Sequence, residues 1–120
     1  DSWQRVASMP QGLHYHAATA MGGKIYVTGG AINWWGHQPK SENSVYVYDP
    51  QTNAWTQLAS MSIARKVHAS AAVGGKLYVF GGIEGQERLS TAEVYDPASD
   101  SWAEESSLTS ARCNAVAVAL

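Results

Sequence analysis

The 120-residue sequence predicts an all-β chain built from a repeated four-stranded antiparallel unit. Three observations carry this. A fifteen-residue stretch, His16 to Gly30, recurs as His68 to Gly82, 52 positions later. Turn-forming residues fall at matching places in both copies. The composition, with 11 Gly, 6 Tyr and 5 Trp, suits strands and tight turns better than helices.

Taken in order, each unit opens on a strand of small apolar residues, expected over 14–21 and 67–73. Such residues fit a crowded, fully buried strand. Gly22-Gly23 and Gly74-Gly75 close two-residue hairpins, because such turns need positive φ at both positions. Lys24–Thr28 and Lys76–Phe80 alternate apolar and aromatic side chains and form the second strand. A third strand, 44–48 or 91–95, runs into Asp49-Pro50 or Asp96-Pro97, a tight-turn signature. Trp55 or Trp102 then begins the fourth strand, 54–59 or 101–106. The prolines lie only in turns and loops, as strand interiors require. Between the Gly pair and Tyr-Asp-Pro the first copy is five residues longer.

The pattern continues beyond both full copies. Trp3 and Met9 stand 52 positions before Trp55 and Met61, and Arg112 stands 47 after Arg65. The expected division is residues 1–10 as the outer strand of a preceding unit, 11–60 and 61–107 as two complete units, and 108–120 as the inner strand of a following one.

Tyr-Val-x-Gly-Gly, a variable loop, Val-Tyr-Asp-Pro, Trp, then Met/Leu-Ser/Thr-x-x-Arg resembles the kelch repeat. The resemblance covers essentially the whole chain and implies a kelch-type β-propeller fragment of two four-stranded blades with one partial strand at each end. It also implies a ring closed by further blades of the same or another chain. Two blades alone leave apolar faces and strand edges uncovered. Three copies of this chain would leave each junction blade without its two middle strands, so a piece of a longer protein is expected.

Most motif residues read as scaffold. The Gly pairs allow close blade packing, Tyr and Trp fill the space between blades, and Arg65 and Arg112 bond to neighbouring backbone. Function in propellers belongs to loops, because the strands are committed to packing. The resemblance places binding on the loop after each Gly pair and on the approach to each inner strand. By motif position the candidate binding residues are Tyr15, Asn33, Lys66, Glu84 and Asn114, and the long first loop adds Trp34, Trp35 and His37. The loop 31–40 is the most distinctive. Trp34-Trp35 offers a stacking platform for a sugar, a proline-rich peptide or an apolar side chain, or else folds over its own blade.

His16 and His68 occupy equivalent inner-strand positions and are expected as buried, hydrogen-bonded histidines rather than metal ligands. Cys113 reads as a small residue near a strand start. Glu84, Glu87 and Arg88 are expected in solvent, and Glu104-Glu105 as protection of an outer strand. No nucleophile elbow, phosphate loop or zinc spacing is present, and no catalytic residue, metal or cofactor is expected. A net charge of −2 without charge runs argues against nucleic-acid binding. No apolar run approaches the ~20 residues of a membrane helix. The single cysteine leans toward a reducing, cytoplasmic setting. The expected function is non-enzymatic binding of a protein or peptide, with a carbohydrate-binding or sugar-active protein, lectin-like or mutarotase-like, as the alternative.

Overall fold

The structure, a computed structural model, describes residues 1–32, 40–110 and 112. Its strands are β1 (Ala17–Met21), β2 (Lys24–Thr28), β3 (Ala31–Ile32), β4 (Lys40–Ser41), β5 (Val45–Asp49), β6 (Ala54–Leu58), β7 (Ala69–Val73), β8 (Lys76–Phe80), β9 (Ile83–Glu84), β10 (Glu87–Arg88), β11 (Ala92–Asp96) and β12 (Ser101–Glu105). Two antiparallel four-stranded sheets result, ordered β1-β2-β5-β6 and β7-β8-β11-β12. The small hairpins β3-β4 and β9-β10 rise from them. These are two propeller blades, and no helix occurs among the described residues.

Turn chemistry sets the register. Gly22 and Gly23 hold φ of 59° and 75°, and Gly74 and Gly75 hold 58° and 76°. These positive values give the turn whose twist matches a hairpin, so Met21 pairs with Lys24 and Val73 with Lys76. At the Asp-Pro corner, Asp49 Oδ1 accepts from Gln51 N and Asp96 Oδ1 from Ala98 N, both at 2.9 Å. Asn53 and Asp100 then take positive φ, which short polar side chains tolerate. Tyr48 donates its hydroxyl to Asn53 Oδ1 at 2.8 Å, and Tyr95 donates to Asp100 Oδ1 at 2.7 Å.

The core lies between the blades. Tyr26 and Val47 of the first pack against Leu77 and Tyr95 of the second, with Met21, Leu58 and Trp102 around them. Burying each such side chain stabilises by about 1.5–3 kcal/mol. Trp55 and Trp102 tilt against Tyr48 and Tyr95 at 5.1 and 5.2 Å between centroids. Each indole also reaches the preceding repeat: Trp55 Nε1 donates to Ala7 O at 2.9 Å, and Trp102 Nε1 to Ala59 O at 2.8 Å. The same two residues donate their own N–H to Asn53 and Asp100 Oδ1. Every blade thus holds one residue of its predecessor at both backbone groups.

Strand limits differ from the sequence expectation in several places. The inner strands begin at Ala17 and Ala69, not at 14 and 67. Tyr15 and Val67 hold φ of 57° and 49°, which breaks the extended chain just before each strand. Residues 31–32, expected in a loop, form a short strand. Residues 1–10, expected as the outer strand of a preceding unit, belong to no ladder among the described residues. The expected inner strand falls mainly on 113–120, outside the described residues.

Candidate functional site: the rim of the blades

The two loop families meet at one rim, and backbone hydrogen bonds build it. In the first blade His14 N donates to Ala31 O at 3.2 Å and Ala31 N to His14 O at 2.8 Å. In the second, Lys66 and Ile83 exchange the equivalent pair at 3.0 and 2.9 Å. Val67 N donates across the blades to Tyr15 O at 2.9 Å. Ser41 Oγ donates to Ile83 O at 3.2 Å, which ties β4 to β9. Positive φ is uncommon for Tyr and costly for a β-branched Val, so this framework enforces a strained conformation at the rim.

The Gly pairs make the approach possible. Gly29 and Gly30 hold φ of 57° and 101°. A Cβ on Gly29 would lie 2.3 Å from Arg65 O, and one on Gly30 2.8 Å from His14 O. Gly81 and Gly82 meet Arg112 O and Lys66 O in the same way, at 2.6 and 2.7 Å.

Of the candidate binding residues, Tyr15, Lys66 and Glu84 are described. Tyr15 is 45% exposed, with its ring edge-on to His14 at 5.0 Å. Glu84 is exposed on β9, directly opposite Glu87, and Arg88 is exposed beside them. Lys66 differs: its side chain is buried and its backbone belongs to the rim ladder. Asn33, Trp34, Trp35, His37 and Asn114 lie outside the described residues. The Ile32–Lys40 pair brackets residues 33–39, where Glu84 and Glu87 bracket only Gly85-Gln86. The extra five residues of the first copy therefore fall in sequence between Ile32 and Lys40.

Beneath the rim lie buried polar groups of structural character. His68 is 7% exposed and shares a 2.8 Å hydrogen bond between Nε2 and Thr28 Oγ1, while Nδ1 has no partner. Burial first, then the charge of Arg65 and the proximity of His16, lower its pKa from 6.5 to about 3. It is neutral at neutral pH. His16, expected to be buried like His68, is exposed. No group of three or more His, Cys, Asp or Glu converges among the described residues.

Arg65 is fully buried and donates from Nη1 to Gly81 O at 2.8 Å and Thr91 O at 3.1 Å, as expected of a backbone-bonding arginine. Its ion pair with Glu93, Nη2 to Oε2 at 2.9 Å, was not foreseen. A signal for it existed: Arg65 and Glu93 occur together in the second copy, and both are replaced, by Leu13 and Tyr46, in the first.

Residues 1–104 match the family model described as the KLHDC2/KLHL20/DRC7 Kelch-repeats domain. Kelch repeat and BTB domain-containing protein 12 of Danio rerio is 34% identical over 92 residues, covering 72% of this chain and 15% of that protein. Kelch-like protein 24 of Homo sapiens is 36% identical over 92 residues, covering 76% and 14%. Beta-scruin of Limulus polyphemus is 35% identical over 95 residues, covering 77% and 10%. The chain therefore spans between a tenth and a sixth of the length of these relatives. The solved structure of YjhT superposes with a TM-score of 0.80 at 19% identity, over 90% of this chain and 42% of that one.

Proposed function

This chain belongs to the kelch-repeat family, and on that premise we propose that it is part of a non-enzymatic propeller whose rim binds a partner protein or peptide. One observation carries the reading. The rim backbone is locked by reciprocal hydrogen bonds, while Tyr15 and Glu84 project from it into solvent. A rigid frame with exposed side chains loses little conformational entropy on association, the general requirement for a recognition surface. Tyr is also among the residues that carry binding energy when a partner covers it. The variation between the copies supports the same reading. The blades are alike in their strands and differ in sequence between the paired residues, 33–39 against 85–86. Trp34 and Trp35 are then the aromatic anchors of the partner-facing surface, with Asn33 and His37 beside them. Lys66 contributes as frame rather than as contact.

The test is selection of a displayed random-peptide library on the immobilised chain. Bound peptides are then measured by calorimetry against Tyr15→Ala, Trp34→Ala and Glu84→Lys, with an outer-strand control, Glu104→Lys. The reading expects at least one rim variant to weaken binding roughly tenfold or more and the control to leave it unchanged. Peptides that bind all four variants equally would refute it, as would a selection that enriches nothing.

A further inference from the structure

The second blade holds a buried carboxylate in a cage of donors. Glu93, 2% exposed, accepts at Oε1 from the Ser62 N–H and the Ser62 hydroxyl, both at 2.8 Å. At Oε2 it accepts from Ile63 N at 3.3 Å and Arg65 Nη2 at 2.9 Å. Arg65 Nη2 also donates to Thr91 Oγ1 at 3.2 Å.

In the first blade every component is changed at once. Pro10 stands in the place of Ser62 and offers neither N–H nor hydroxyl. Leu13 replaces Arg65. Tyr46 replaces Glu93 and donates its hydroxyl to Gln11 Oε1 at 3.2 Å. Ser44, in the place of Thr91, keeps a buried hydroxyl with no partner, because no guanidinium reaches it. A buried carboxylate without its donors is severely costly, and so is a buried arginine without its carboxylate. The parts are kept or dropped together.

Residues 108–112 rebuild the donor side. Leu108 N donates to Ser90 O at 2.7 Å, as Met61 N donates to Asn43 O at 2.9 Å. The chain bends at 109–110 as it does at 62–63. Arg112 N donates to Leu89 O at 3.0 Å and Arg112 O accepts from Gly82 N at 2.7 Å. Arg65 makes the same two bonds, to Glu42 O at 3.1 Å and from Gly30 N at 2.9 Å. Thr109 thus occupies the place of Ser62, with a hydroxyl and an N–H, and Ser110 offers the N–H of Ile63. Arg112 itself is exposed, and its guanidinium has no partner among the described residues.

The structure assigns to Thr109, Ser110 and Arg112 a carboxylate-docking site, whose occupant is an acidic residue on the third strand of a following blade of the same repeat. The backbone geometry is continuous with the interface already formed between the two blades, and the relatives extend far beyond the length of this chain. A blade with tyrosine or an apolar residue at that position, as in the first blade, is rejected, because it would bury Arg112 unpaired.

Two arms test this. In the 120-residue chain, Arg65→Leu should raise the unfolding equilibrium constant roughly a hundredfold or more, and Arg112→Leu less than about threefold. Equal effects would overturn the assignment. In the second arm a copy of residues 74–107 is appended after Leu120, which aligns with Val73, so that the third blade is complete. There Arg112→Leu, or Glu→Gln at the copy of position 93, should each raise the constant roughly a hundredfold, and the pair together should cost far less than the product. Additive effects, or an appended blade that stays unfolded by circular dichroism, would also overturn it.

Discussion

Lowering the pH from 7.5 to 5.0 should destabilise this chain through one residue, His68. In the unfolded chain an imidazole has a pKa near 6.5; in the folded chain burial beside Arg65 lowers that of His68 to about 3. The unfolded state therefore binds the proton first. Stability is complete above pH 6.5 and is lost progressively as the pH falls from 6.5 toward 3. Each pH unit within that window is worth about 1.4 kcal/mol, so at pH 5.0 the loss is about 2 kcal/mol. This is a large share of the 5–15 kcal/mol typical of a folded domain. The window is separable from that of Asp100, whose carboxyl is held below 3.8 by the Ala59 N–H and then by the Tyr95 hydroxyl; its contribution declines only in more acidic solution. The assay is urea unfolding at both pH values for the wild type and for His68→Gln, which retains a polar group toward Thr28 without titrating. The variant should be less stable at pH 7.5 and should lose about 2 kcal/mol less on acidification. Equal losses, or an NMR titration of His68 centred near 6.5, would refute the reasoning.

Two further outcomes follow from the geometry. Gly22 and Gly29 share nearly the same φ, 59° and 57°, but a Cβ meets nothing at the first and Arg65 O at the second. Gly22→Ala should cost about 1 kcal/mol and Gly29→Ala more than ~3 kcal/mol in chemical unfolding; equal costs would show that φ alone governs the pair. Trp102→Phe keeps most of the packing against Tyr95 but removes the donor to Ala59 O, so thermal unfolding should report a loss of about 1 kcal/mol, against ~3–5 kcal/mol for Trp102→Ala.

The sequence alone determined the blades. Strand order, hairpin turns and the Asp-Pro corners are local: Gly at positive φ, proline without an N–H and alternating side chains act over a few residues, so their spacing can be read directly. It also marked where the copies diverge, between Ile32 and Lys40 in the first and between Glu84 and Glu87 in the second. Tertiary structure decided what long-range packing controls. His16 and His68 are equivalent in sequence, yet His68 is buried against Thr28 of the other blade while His16 is exposed. The backbone of Lys66 pairs with that of Ile83, 17 residues further along the chain. Glu93, 28 residues from Arg65, acquired its meaning when the sheet brought the two within 2.9 Å. A buried charge is defined by its surroundings, and those surroundings form only when strands distant in sequence lie side by side.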